Sequence, residues 1–537
     1  MAVAYEETGR QKRAQQAASI PPEWRLKEIP PVTDVIDALD FIRKSDLLSP
    51  KELEITETTD ANVLLESIAS RKLSSVDVVT AFSKRAALAH QLTTCCTEMF
   101  FDEALQSAKA LDKHLEETGK TIGPLHGLPV SIKDQFDVKG VDSSIGWVGL
   151  TGKPSTKDSY PAQIFRQLGA VLYVKSNIPQ SMMMSDSYNH VFGQCVNPLN
   201  RNLISGGSSG GEGSLVSARA SVLGLGSDIG GSIRIPAGLC GLYGLCPTFG
   251  RQPYQPKGTR QEIVRPVAGP LTSSLSTVET YMSALASAKP WELDPYVVPV
   301  PWRTELCTSS GKLRIGYVID DGVVKVQPPA ARAVREVVER LRAAGHEVFE
   351  WDASSHGYCY QLWEKAILSD GGEACRKLCE MSGEPLVQGM LVGTEKDLMT
   401  PSELHQLNLD KFEYEQTYLE RWADANLDAL IMPVTPWIGY KPWTWVKSHQ
   451  YVGYTSIWNF VNYAALTIPV TTVDVQKDQP DQEWLAHTPR NPSDEFNWKQ
   501  YDLELIKGMP VGVQVVGGKF GDEKTIAVGK VIKELLK

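Results

Sequence analysis

Between Ser205 and Gly241 the chain reads SGGSSGGEGSLVSARASVLGLGSDIGGSIRIPAGLCG, and no other stretch restricts its folding as strongly. Eleven of the 43 glycines and eight serines fall within these 37 residues, interrupted by short apolar runs. A flexible Gly/Ser linker has no such runs. Apolar pieces such as SVLGL call for burial, so the glycines serve close backbone geometry inside a folded body. Pairs such as Gly206-Gly207 and Gly230-Gly231 allow N–H groups to approach an anion, a phosphate or a developing oxyanion.

Three familiar glycine patterns make specific demands on this stretch. A phosphate-cradling loop needs Gly-Lys-Ser/Thr at its end, whereas the chain supplies Gly211-Glu212-Gly213. A dinucleotide fingerprint fails because Ile229 stands where its third glycine belongs. A nucleophile elbow is formally matched by Gly207-Ser208-Ser209-Gly210-Gly211, but an apolar strand should precede it and NPLNRNLIS reads as a loop. A GxSxG serine esterase with a histidine base therefore stays as a weak alternative. Its acid and histidine would have to come from His346 onward.

The rest of the chain describes an α/β enzyme. Val130 and Ile132 alternate with Ser131 and Lys133 as in a short strand, which puts Lys133 on the opposite face from its apolar neighbours. AVLYVKS is a second strand. LRIGYVID, a helix from Pro328 to Ala344, and HEVFEW form a βαβ unit, which requires parallel pairing. LDALIMPVTP and MPVGVQVVGG are further buried strands, the last followed by an amphipathic helix. Upstream, helices are expected over the Val63, Leu64, Leu65 and Ile68 face, after a Ser74/Asp77 capping box, and from Glu103 to Glu117 with Gly119 as its cap. Met182 to Met184 and the aromatic run from Trp437 to Tyr463 suit either core or the wall of an apolar pocket. The net charge of -10 over 537 residues argues against a nucleic-acid surface. Nine cysteines, two adjacent (Cys95 and Cys96) and the rest scattered, form neither a disulfide framework nor a metal-ligand spacing, and no apolar run reaches bilayer length. A cytoplasmic protein without metal, cofactor or transmembrane segment is expected.

GGSSGGEGSLV followed by GLGSDIGGSIRIPAGLCGLYGLCPT resembles the amidase signature family. The likeness continues through GPLHGLPVSIKDQFDVKG, YVKSNIPQSM and FGQCVNP upstream, and through LDALIMPVTP and MPVGVQVVGG downstream. QKRAQ and IPPEWRL resemble its fungal acetamidase-like members, and fatty acid amide hydrolase-like members share the same core. The resemblance implies one α/β domain, residues 56–537, with a central mixed sheet covered by helices on both faces. Residues 1–55 would be an arm packed on it.

It also implies an amidase that cleaves a carboxylic amide through a Ser-cisSer-Lys triad and an acyl-enzyme. Ser232 would be the nucleophile, Ser208 the bridging serine after a cis peptide bond, and Lys133 the general base. The N–H groups of Ile229, Gly230, Gly231 and Ser232 would form the oxyanion hole. Asp228, Arg234 and Ser209 would support the loop, and Met182 would line the acyl pocket beside Ser208. A lysine acts as a base only when neutral, and lowering its pKa from ~10.4 to ~7 or 8 takes about 3 to 5 kcal/mol of differential interaction. Lys133 is therefore expected to be buried. The expected partner is a small-molecule amide, with homodimer formation left open. An amidotransferase subunit needing partner chains is the alternative within the same family.

Overall fold

The structure, a computed structural model, describes residues 3–255, 261–309, 311–447 and 450–537. Eleven strands form one mixed sheet flanked by helices. In spatial order they are Cys96–Met99, Val171–Ser176, Pro129–Lys133, Leu223–Asp228, Val267–Thr272, Tyr243–Cys246, Tyr463–Thr472, Pro510–Lys519, Ala429–Pro433, Arg314–Tyr317 and Glu347–Glu350. Pro129–Lys133 runs parallel to both of its neighbours. Arg314–Tyr317 does likewise with Glu347–Glu350 and Ala429–Pro433, as the βαβ reading requires. The Pro328–Ala343 helix closes that unit, starting on two prolines and burying Val334, Val337, Val338 and Leu341. The middle of the sheet is antiparallel.

The helices before the sheet follow from local sequence. Ser74 and Asp77 exchange side-chain and backbone hydrogen bonds as a capping box for Ser75–Thr93, and Gly119 caps Phe101–Thr118 in a left-handed conformation. One expectation is corrected here. The Ala61–Ala69 helix buries Ala61, Leu64 and Ile68, a spacing of three and four, while Val63 falls outside that stripe and is 51% exposed. The first helix, Val3–Ala18, lies against the edge strand. Gln16 Nε2 donates to the carbonyls of Cys96 and Thr97, and Lys12 pairs with Glu98 and Asp142. Sheet edges left open invite pairing with other chains, and this helix covers one of them.

Candidate active site

Lys133 ends a strand whose five residues are all buried. Alternation along PVSIK separates apolar from polar side chains, but the polar face does not meet water. It meets the Gly210–Ser217 helix, which belongs to the Gly/Ser stretch. Ser131 Oγ lies 2.5 Å from Glu212 Oε2 on that helix, and Lys133, two residues on, has its Nζ 2.8 Å from Ser208 Oγ just before it. The second contact of Lys133 Nζ is Ser227 Oγ at 2.9 Å. Burial lowers the Lys133 amine to about 7, with the Asp228 and Glu212 carboxyls opposing the shift. Burial likewise raises Glu212 to about 8, which weakens the support its carboxyl gives the ammonium.

The peptide bond between Gly207 and Ser208 is cis. Ser209, next in sequence, joins the two halves of the Gly/Ser stretch: its N–H donates to the Ser232 carbonyl at 3.1 Å, and its hydroxyl accepts from the Ser227 N–H at 3.3 Å. Ser232 is half-buried and lines the cleft described below. Its hydroxyl makes no hydrogen bond among the described residues, so Ser208 and Ser232 are neighbours without a direct bond in this conformation.

The loop from Asp228 to Arg234 is held from both sides. Asp228 accepts from the Gly231 N–H at 2.8 Å and the Ile233 N–H at 3.0 Å, and it pairs with Arg234 at 2.9 Å. Both side chains are fully buried, and Arg234 also donates to Gln514, Asn459 and the Thr455 carbonyl. Burial alone would raise the Asp228 carboxyl, but Arg234 and these donors bring it down to about 2. On the other side Trp363 Nε1 donates to the Ile229 carbonyl at 2.9 Å, and Thr455 Oγ1 to the Gly230 carbonyl at 2.6 Å. Both positions need glycine. A Cβ on Gly230 would sit 2.5 Å from the Trp363 ring, and Gly231 has φ +129° with Thr455 Oγ1 2.3 Å from its would-be Cβ.

These bonds divide the four amides expected to face an oxyanion. The Gly231 N–H is taken by Asp228. The amides of Ile229, Gly230 and Ser232 have no partner among the described residues. Because Trp363 holds the Ile229 carbonyl, the Gly230 N–H of the same peptide unit points the opposite way. The cleft beside it, about 300 Å³ counting the part open to solvent, is lined by Met182, Met183, Ser232, Trp363, Leu391 and Val452 among others.

Met182 thus lies on the cleft wall, whereas the aromatic run divides. Trp458 is buried core and Trp443 is 43% exposed. Trp437 and Trp445 line a separate cavity that shares Ser185 with the cleft. No histidine bonds to Ser208, Ser209 or Ser232 among the described residues, which leaves the elbow reading without a base. Sequence reasoning missed Trp363, Thr455, Asn459 and Gln514, which come from three distant segments; Trp363, Thr455 and Asn459 carry no motif, and Gln514 lies in MPVGVQVVGG, which reads only as a buried strand. Ser227 lay within the SDIGG match, and its position one residue before Asp228 was the available signal.

This arrangement can be set beside known proteins. The family model described as Amidase matches residues 77–526. The chain belongs to the amidase family. An acetamidase of Emericella nidulans is 38% identical over 100% of this amidase and 99% of its own length. A second acetamidase, from Aspergillus oryzae, is 36% identical with 99% of each chain covered. Among solved structures, a fatty acid amide hydrolase superposes with a TM-score of 0.93 at 34% identity, covering 99% of this amidase and 95% of that chain. A bacterial aryl acylamidase at 20% identity shares the fold. The amidase is accordingly a hydrolase of amide bonds with the amidase signature fold. No helix among its described residues is long and apolar enough to cross a membrane.

Proposed function

We propose that this amidase works through Ser232, Ser208 and Lys133, and that its preferred substrates carry a short acyl group. The observation that carries the mechanism is the fully buried Lys133 amine, 2.8 Å from the Ser208 hydroxyl beside the cleft that holds Ser232. Neutral Lys133 takes the Ser208 proton while Ser208 takes that of Ser232, and Ser232 Oγ attacks the amide carbonyl. The hydroxyl of Ser232 turns toward Ser208 to close this relay. Negative charge on the carbonyl oxygen is met by the amides of Ile229, Gly230 and Ser232, which have no competing partner among the described residues. The protons return through the same relay to the departing ammonia or amine, leaving an ester on Ser232. Water, deprotonated by the reverse use of Lys133 and Ser208, then cleaves it to the acid.

The short acyl preference rests on the cleft walls. Met183, Ile235, Trp363, Leu391 and Val452 give an apolar wall to the cleft that Ser232 lines, whose volume of about 300 Å³, solvent-open part included, suits a small acyl group. The two acetamidases that match end to end are consistent with this. The test joins labelling to kinetics. A fluorophosphonate should modify Ser232 alone, and ammonia release should fall steadily from acetamide through butyramide to hexanamide. Label on Ser209, or undiminished turnover in Ser232→Ala, would defeat the mechanism. A rise in kcat/KM with chain length would defeat the substrate reading while leaving the mechanism intact.

A further inference from the structure

Behind the Gly/Ser stretch lies a group of soft ligands that amide hydrolysis does not use. His90 stands in the last turn of the Ser75–Thr93 helix, Thr94 reverses the chain in a left-handed conformation, and Cys95 and Cys96 follow. One ligand atom from each of His90, Cys95 and Cys96 lies within 4.8 Å of the others. The two sulfurs are 3.9 Å apart on the same side of the chain. Two thiolates on one tetrahedral zinc, each at about 2.3 Å, stand about 3.8 Å apart. The sulfur pair is therefore already at the spacing such an ion requires. His90 is half-buried, and its Nδ1 accepts from the Cys96 N–H at 3.2 Å, a bond the ring exchanges for the ion as it closes the remaining gap.

Two further features suit a cation. The C-terminal end of a helix carries partial negative charge, and His90 sits there. Thiolate and imidazole together select soft or borderline ions over Mg²⁺ or Ca²⁺.

The group is also wired to the Gly/Ser stretch. Asn177 N–H donates to the Cys95 carbonyl at 2.8 Å, and the Asn177 carbonyl accepts from the Gly211 N–H at 2.9 Å. Asn177 Nδ2 in turn donates to the Thr94 carbonyl at 2.9 Å. A movement of Cys95 is thereby passed to the first turn of the Gly210–Ser217 helix, three residues from Ser208.

We propose that His90, Cys95 and Cys96 bind one thiophilic divalent cation, Zn²⁺ or Cd²⁺, and that its binding slows amide hydrolysis. The two thiols give their protons to solvent as the ion is taken up, and the fourth tetrahedral position is left to water. The site owes nothing to the Ser232 mechanism, so its binding test stands whether or not that mechanism holds.

Cys375 and Cys379, four apart on the Glu373–Ser382 helix, could also take a soft ion and are removed first. Reduced, chelator-treated Cys375→Ser/Cys379→Ser protein is titrated with Cd²⁺ and followed by thiolate-to-cadmium absorption, with Zn²⁺ as competitor. One equivalent should bind. Adding Cys96→Ser should weaken binding by more than the ~100-fold that accompanies loss of a mere outer partner of a metal ligand. His90→Gln, a change on a half-buried helix position, gives the same test if the buried substitution does not fold. Saturating Cd²⁺ should lower the hydrolysis rate of the Cys375→Ser/Cys379→Ser protein and leave that of its Cys96→Ser derivative unchanged. The site is refuted if no stoichiometric Cd²⁺ binds, or if Cys96→Ser and His90→Gln both retain full affinity. Binding without loss of rate refutes the coupling.

Discussion

The Lys133 amine touches two hydroxyls, and the less obvious one controls its proton affinity. Gln135 Nε2 donates to the Tyr254 hydroxyl at 2.8 Å, which turns Gln135 Oε1 toward Ser227. Ser227 gives its single hydroxyl proton to that oxygen at 2.7 Å, so toward Lys133, 2.9 Å away, it acts as an acceptor. An acceptor favours the ammonium over the amine. Hydrogen bonds to charged groups contribute about 1.5–3 kcal/mol and neutral ones about 0.5–1.5, so Ser227 favours protonation of Lys133 by roughly 1–1.5 kcal/mol. One pKa unit corresponds to about 1.4 kcal/mol. Ser227→Ala should therefore move Lys133 from about 7 to near pH ~6.

In the proposed mechanism the neutral amine is the active form, so the acid limb of kcat/KM should shift with it. At pH 6 wild type would retain about a tenth of its plateau and the variant about half of its own. The plateau itself should drop about 10-fold as Lys133 loses a positioning contact. The assay is initial-rate ammonia release from acetamide between pH 5 and 9, corrected for enzyme stability at each pH. A purely structural role for Ser227 lowers the plateau without moving the inflection. An unchanged or raised inflection would refute the reasoning.

Two further substitutions probe the surroundings. Asp228→Asn leaves the buried Arg234 without its counter-charge and weakens the hold on the Gly231 and Ile233 amides, so unfolding stability should fall by about 3–5 kcal/mol in denaturant titration, with activity lost in parallel. Lys133→Met should abolish turnover yet raise the melting temperature at pH 7. The folded Lys133 pKa near 7 lies below its unfolded value near 10.5, so the unfolded chain binds more protons between these limits and wild-type stability rises with pH across that window. The thermal advantage of methionine should accordingly be greatest at and below pH 7 and shrink toward pH 10.

Much of this site is legible in the chain because the three residues of the proposed triad sit in contiguous motifs, and the strands around them announce themselves as short apolar runs. What escaped is the scaffold that orients the loop. Trp363 and Thr455 reach the carbonyls of Ile229 and Gly230 from 134 and 225 residues away, and nothing in their own helices marks them. Asn459 lies in an aromatic run that reads as pocket wall, whereas its amide donates to Asp228. The alternation in PVSIK gave the face of Lys133 correctly, but whether that face meets water or a helix depends on a segment 75 residues downstream. Val63 shows the same limit in miniature, since only the position of neighbouring helices decides which side of a short apolar helix is covered.

The place of Pro510–Lys519 in the sheet bears on when during synthesis the enzyme becomes active. This strand lies between Tyr463–Thr472 and Ala429–Pro433, and among the described residues it alone joins the sheet half that carries Lys133 to the half built on Arg314–Tyr317. Its Gln514 bonds Arg234, the Pro433 carbonyl and the Tyr454 carbonyl together. A growing chain that has passed both serines and the lysine still lacks seven of the eleven strands, and Trp363, Thr455 and Asn459 as well. The residues of the proposed triad are thus synthesised early, while the strand that carries Gln514 comes near the end of the chain, so the frame around their loop is complete only once that strand is in place.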